Sequence, residues 1–221
     1  MRKIRTASFV SLDGVMQGPG GPDEDTTGGF ACGGWVWPHF DEAAGGFMGD
    51  AMGEDYDLLL GRRTYEIFAA YWPHMDDEIG RTFNSIAKYV AAGPDTPMTW
   101  SNSHRLEGDL AEAVARLKQE GDRDLLIQGS SELIHTLMGA DLIDEMVTLT
   151  FPIILGRGKR LFDAHSNPRA WTLQKSVISS SGVVVSTYRR GGEVPTGSFG
   201  AVDPSAAELA RRERWAREDR A

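Results

Sequence analysis

Two glycine turns carry the residue types that bind phosphate. Gly61-Arg62-Arg63-Thr64 follows a short apolar run and leads into residues of helical composition. Its glycine permits close backbone approach, its arginines suit a phosphate monoester, and the Thr64 hydroxyl suits a pyrophosphate oxygen. Gly129, Ser130, Ser131 and Glu132 repeat the arrangement at the start of a second helical run. Helix N-termini present free backbone N–H groups to anions, so the two turns together have the reach of a dinucleotide. For proton transfer, Asp13 is the first candidate, because it stands where the first strand meets a long loop; Asp41 is the second. Each also has a plain structural reading, Asp13 as a turn former beside Gly14 and Asp41 as a helix N-cap. An acid role at neutral pH requires Asp13 to be buried against apolar groups that raise its pKa.

Other chemistries lack their markers. No Gly-x-Gly-x-x-Gly fingerprint is completed, although Gly156-Arg157-Gly158 follows a strand, and no Gly-x-x-x-x-Gly-Lys-Ser/Thr loop is present. His39, His74, His104, His135 and His165 are scattered without metal-ligand spacing, so no metal site is expected. There is no Gly-x-Ser-x-Gly elbow, and the single cysteine, Cys32, has neither a disulfide mate nor an evident activating partner. Trp35, Trp37 and Phe40 are read as packing residues in preference to a platform for a flat heterocycle.

The elements that must hold the turns follow from periodicity. Ile4 to Val10 alternates as a strand, and a loop rich in Gly and Pro then runs to about residue 34; loops of that length are usually functional or disordered, and function is the reading taken. Helices are expected over 41–54, 65–70, 110–118 (capped by Asp109) and 132–138, with strands over 56–60, 86–92, 124–128 and 145–151. Strands alternating with helices predict a mostly parallel sheet. Beyond Pro152 the runs 171–178 and 183–190 flank Ser179-Ser180-Ser181-Gly182 and read as an antiparallel hairpin at the sheet edge. The expected organisation is one α/β domain over 1–190, then a linker to Val202 and a helical tail from Asp203-Pro204 that together make up 191–221.

With 221 residues and 41% apolar side chains the chain can bury one sizeable core. A formal net charge of -9 argues against nucleic acid as a general partner. With no long apolar stretch, a membrane is not expected as a partner either, and a cytoplasmic location is. The edge hairpin makes a homodimer the expected assembly.

Four ordered motifs carry a family resemblance: Ser11-Leu12-Asp13-Gly14, Gly61-Arg62-Arg63-Thr64-Tyr65-Glu66, Gly129-Ser130, and Pro152-x-x-Leu155-Gly156-x-Gly158-x-x-Leu161-Phe162. Over roughly residues 2 to 190 the chain resembles the C-terminal reductase domain of riboflavin biosynthesis enzymes and its stand-alone, dihydrofolate reductase-like relatives. The resemblance implies a three-layer dihydrofolate reductase-like fold with NADPH across the strand ends. It places the adenosine 2′-phosphate near Arg62 and Arg63, and the pyrophosphate near Thr64 and Gly129 to Glu132. Leu12, Asp13 and Gly14 would then face the nicotinamide, with hydride passing to a small pyrimidine, pterin or related carbonyl or imine substrate. The glycine-rich insert after Gly14, and Val90-Ala91-Ala92 where a serine is expected near the adenine, depart from the pattern. The competing readings are a non-catalytic nucleotide- or metabolite-binding dimer on the same fold and a purely structural or partner-binding protein, in which the long loop and the C-terminal helix form an interface.

Overall fold

A computed structural model describes residues 1–164, 166–198 and 203–219. His165 and residues 199–202 of the expected linker lie outside the described residues. In chain order the elements are β1 (Ile4–Ser11), α1 (Glu42–Met52), β2 (Tyr56–Gly61), α2 (Arg62–Tyr71), α3 (Glu78–Ser85), β3 (Lys88–Ala91) and β4 (Ser103–Arg105). There follow α4 (Leu110–Gln119), β5 (Asp124–Ile127), α5 (Ser131–Gly139), β6 (Glu145–Phe151), β7 (Trp171–Ile178), β8 (Val184–Arg190) and α6 (Ala206–Glu218).

The strands form one sheet in the order β4-β3-β2-β5-β1-β6-β8-β7. All neighbours up to β6 are parallel, and β8 pairs antiparallel with both β6 and β7. This is the three-layer α/β architecture the motifs imply, with the C-terminal hairpin at one edge. Strand β2 is buried at all six positions because helices cover both faces of the sheet. One face packs Leu58, Leu60, Leu126, Val147 and Leu149 with Tyr65 of α2, Phe83 of α3 and Ala44 of α1. The other packs Ile4, Leu59, Leu125 and Ile127 with Val114 and Leu117 of α4 and Leu133, Ile134 and Leu137 of α5.

Three departures from the expected elements have local causes. Helix α3, with Asp77 accepting from Gly80 N at 2.8 Å, occupies the chain before β3. Ile86 is therefore its C-cap and not a strand residue, which shortens the expected 86–92 strand. Helix α2 starts at Arg62, so both arginines and Thr64 lie in its first turn instead of in a loop before it. The tail helix starts later than Asp203-Pro204, at Ala206 with Ser205 as its cap, and buries no side chain. Among the described residues no helix is long and apolar enough to cross a membrane.

Charged groups beneath the sheet pair off. Arg2 bonds the Asp57 carboxylate in a nearly dry setting, and Lys118 Nζ lies 2.5 Å from Asp144 Oδ2. Lys88 is fully buried; its Nζ donates to Asn84 O at 3.2 Å and Ser101 O at 3.0 Å and lies 4.3 Å from the centre of the Trp100 ring. Burial pushes its ammonium down to about 8, with the Asp57 charge acting the other way.

Candidate nucleotide cleft at the strand ends

The carboxyl ends of β2 and β5 are neighbours in the sheet, which sets the turns after them side by side. Gly61 N donates to Gly129 O at 3.2 Å. The contact is close enough to require glycine at both places. A Cβ on Gly61 would lie 2.2 Å from Ser130 Oγ, and one on Gly129, whose φ is +157°, would lie 2.7 Å from Thr64 Oγ1. The peptide between Gly129 and Ser130 is cis.

Helix α2 is N-capped by Gly61 and α5 by Ser130, and neither has a side-chain capping hydrogen bond. Every other α-helix has one, from Asp41, Asp77, Asp109 or Ser205. The two helices that leave first-turn N–H groups without a side-chain acceptor are thus the two whose N-termini converge. Thr64 is half-buried beside Gly129, Ser131 is buried, and Arg62, Arg63 and Glu132 are exposed at the rim. Arg62 Nη1 lies 2.8 Å from both Glu66 carboxylate oxygens, and Arg63 Nη1 donates to Thr27 Oγ1 at 2.9 Å.

One strand further along, β1 ends in Ser11-Leu12-Asp13-Gly14. The Ser11 hydroxyl donates to Asp13 Oδ1 at 2.6 Å and accepts from Val15 N at 2.9 Å. Asp13 also accepts from Leu155 N at 3.1 Å, Gly156 N at 2.9 Å and Arg160 Nη2 at 3.4 Å. The bond from Ser11 has the largest effect, and together with the backbone bonds from Leu155 and Gly156 it outweighs desolvation and lowers the pKa to about 2. The raised pKa that an acid role requires is therefore absent, because hydrogen-bond donors surround the carboxylate where apolar groups were needed. Asp13 joins the β1 turn to the Leu155–Gly156 turn, and two of the sequence motifs become one structural unit. Leu12 N adds a bond to Ile153 O at 2.8 Å while its side chain stays exposed, and Gly14 has φ +80°.

Asp41 takes the helix N-cap position of its structural reading. One oxygen accepts from Ala44 N at 2.7 Å as the cap of α1; the other accepts from Ser180 Oγ at 2.7 Å and Ser181 N at 3.0 Å. The Ser180 bond leads in holding its pKa at about 2. Asp41 anchors α1 to the β7–β8 turn. Of the three aromatic residues read as packing, Trp37 does not pack: it is 70% exposed, with Nε1 donating to Gly20 O at 2.6 Å, whereas Trp35 meets Phe151 edge-on at 5.3 Å and its Nε1 donates to Gln17 O at 2.8 Å. Phe40 meets Phe9 at 6.0 Å.

Sequence reasoning missed a polar knot in the long loop. Gln17 Nε2 donates to Asp25 O and Thr27 O at 3.1 and 2.9 Å, Gln17 Oε1 accepts from Lys159 N at 3.0 Å, and Lys159 Nζ lies 2.5 Å from Asp25 Oδ2. Burial opposes the Asp25 charge, yet the bonds from Lys159 and Thr27 outweigh it and lower the pKa. The knot ties residues more than a hundred positions apart, and no local pattern marks it. Two cavities, of about 10 and 180 Å³, lie elsewhere: by Arg169 and Arg190, and between α1 and the β7–β8 hairpin. The strand-end cleft is the better candidate because the backbone donors converge there. Among the described residues no cluster of three or more His, Cys, Asp or Glu is placed to hold a metal ion.

Residues 2–185 match the RibD C-terminal domain family. The chain belongs to that family. It is 25% identical over 196 residues to the Bacillus subtilis protein YyaP, covering 86% of this chain and 96% of that one. Among solved structures it is similar to a putative riboflavin biosynthesis protein from Shewanella sp. PV-4, with TM-score 0.61, 23% identity, and coverage of 86% of this chain and 99% of that one. Dihydrofolate reductase from Enterococcus faecalis, complexed with NADP(H) and RAB-propyl, aligns at TM-score 0.55 and 14% identity over 85% of this chain and 96% of that one. The RibD C-terminal domain chain therefore has a dihydrofolate reductase-like fold.

Proposed function

We propose that this RibD C-terminal domain protein is a reductase that binds NADPH across the ends of β2, β5 and β1 and reduces a small heterocyclic or carbonyl substrate. The observation that carries the reading is the convergence of two helix N-termini without side-chain caps, over glycines that admit no Cβ. Family membership supports a reductase-type function, and the NADP(H) complex of the Enterococcus enzyme supports the choice of cofactor.

The residues present fit the group. First-turn N–H groups of α2 and α5, with the Thr64 and Ser131 hydroxyls, would hold the pyrophosphate; the exposed arginines of α2 would meet a ribose phosphate. Leu12 and Gly14 would flank the nicotinamide. When bound, the reduced nicotinamide supplies a hydride. Asp13, ionised, keeps the β1 turn and the Leu155–Gly156 turn in register, and the proton for the acceptor comes from water. The exposed Leu173 and Ile178 of edge strand β7 favour pairing of two copies, which light scattering would detect.

Calorimetric titration with NADPH and NADH tests the reading. Micromolar NADPH binding with weaker NADH binding is the expected result, and no binding of either at millimolar concentration refutes it. The low pKa of Asp13, held by the Ser11 bond, favours a second reading, a nucleotide-binding protein without its own hydride acceptor. NADPH oxidation in the presence of pyrimidine, pterin and small carbonyl compounds separates the two: turnover with any of them excludes the non-catalytic protein.

A further inference from the structure

Away from the strand ends, the sheet face that carries α1 holds a cavity of about 180 Å³ between that helix and the β7–β8 hairpin. Phe47, Asp50 and Ala51 stand three and four residues apart, on one side of α1, and form one wall. The hairpin forms the other through two cross-strand pairs, Lys175 with Thr187 and Val177 with Val185. The helix is fastened near both of its ends. Asp41 ties its first turn to Ser180 and Ser181, and Gln128 Nε2 lies 3.3 Å from Met52 Sδ in its last. Between these points the short Ala51 side chain leaves the space unfilled.

The lining has an apolar part and a charged mouth. Phe47, Ala51, Val177 and Val185 all pack in the core cluster of that face. An apolar cavity of about 150 Å³ accepts a molecule the size of benzene, so this one has room for an aliphatic or single-ring side chain. Lys175 Nζ lies 3.9 Å from Asp50 Oδ2, with the two side chains 62% and 72% exposed, and neither has another ion-pair partner among the described residues. A pair so exposed and so long is weak and opens readily. A β-bulge aims Lys175 at the cavity. Leu173 pairs with Tyr188, which packs on the opposite face, and after the extra residue Gln174 the next pair is Lys175 with Thr187. Thr187 is half-buried, and its hydroxyl makes no hydrogen bond among the described residues. An apolar cavity under an adjoining cation and anion is complementary to a zwitterion with an apolar body. In a free α-amino acid the carboxylate and the ammonium flank a single carbon, so each can meet its opposite charge at the solvent edge while the side chain is buried.

We propose that the cavity between α1 and the β7–β8 hairpin binds a free α-amino acid with an apolar side chain, at a site separate from the nucleotide cleft. The carboxylate meets Lys175 and the Thr187 hydroxyl, the ammonium meets Asp50, and the side chain lies among Phe47, Ala51, Val177 and Val185. Calorimetric titration of the full chain with L-leucine and L-phenylalanine tests it. Binding of at least one, with Kd on the order of 0.1–1 mM, is the expected result. Isocaproate and isoamylamine, which each lack one of leucine's two charged groups, should bind at least about tenfold more weakly. Asp50→Asn and Lys175→Gln alter exposed side chains and should each weaken L-leucine about tenfold, and Val177→Phe, which fills the cavity, should abolish its binding. All three variants should bind NADPH as the wild type does. No binding of either amino acid at about 10 mM, equal affinity for L-leucine and either single-charge analogue, or wild-type affinity for L-leucine in both charge variants would overturn the assignment. A wild-type protein that binds L-leucine in this pattern but not NADPH supports the site and overturns the nucleotide reading alone.

Discussion

Replacement of Asp13 by asparagine isolates the claim that this carboxylate is a structural acceptor and not an acid. Oδ1 accepts from Ser11 and Leu155 N, and Oδ2 from Gly156 N and Arg160. Whichever way an amide is turned, its NH2 faces one of these donor pairs. Losing a charge-assisted bond to a backbone N–H costs about 1.5 kcal/mol or more, and the long Arg160 pair adds at most about 1 kcal/mol. The fall of the pKa from 3.8 to about 2 corresponds to an upper figure of about 2 kcal/mol; with the side chain 19% exposed, solvent screening brings the expected loss to about 1–2 kcal/mol. Because the folded-state pKa is depressed, the stabilisation is present above pH 3.8 and is lost as the pH falls toward 2. Urea unfolding of wild type and Asp13→Asn should therefore differ by about 1–2 kcal/mol at pH 7, and by much less near pH 2. All other carboxylates titrate in both proteins, so the difference reports Asp13. Equal stability at pH 7, or a difference unchanged down to pH 2, would refute the reasoning.

Lys88 reverses the usual sign: with a folded pKa of about 8 against 10.5, the unfolded chain binds more protons between those values, so stability from this group rises with pH across that window. Urea unfolding at pH 8 and pH 10.5 should show a gain of about 1–2 kcal/mol in wild type relative to Lys88→Met, the full shift being reduced by the carbonyl and Trp100 contacts that favour the ammonium. Gly61→Ala puts a methyl 2.2 Å from Ser130 Oγ, so it should lower stability by about 1–3 kcal/mol in thermal unfolding and weaken both nucleotides alike in calorimetry. Lys118→Met removes one of the two cations on Asp144, Arg190 Nη2 remaining 3.4 Å from Oδ1, and should cost about 1–2 kcal/mol, measured by urea unfolding at pH 7.

Much of the framework was readable because it rests on local pattern. The apolar run before Gly61, the Asp109 cap and the strand at 145–151 are each determined by neighbours in the chain. Helix α3 was missed although Asp77 signals its start, because Ile86 and the residues after it read as a strand. Strand β4 has only three residues and is held by pairing with β3, so it leaves no periodic trace.

The chain itself determines that α2 lacks a side-chain cap, since Gly61 has no side chain to accept a hydrogen bond, and that both turns carry glycine and hydroxyl groups; only the fold leaves the Ser130 hydroxyl out of the cap of α5. Only the fold decides that the two turns touch, because β2 and β5 are adjacent in the sheet though far apart in sequence. It also completes the setting of Asp13: Ser11, two residues away, contributes most to its low pKa, but the Leu155 and Gly156 N–H groups that add to it reach the carboxylate from more than 140 positions away. For the same reason Arg62 and Arg63, alike in the sequence, differ in the folded protein. Glu66 reaches Arg62 along a single helix, whereas Thr27 reaches Arg63 only because the long loop folds back across the strand ends.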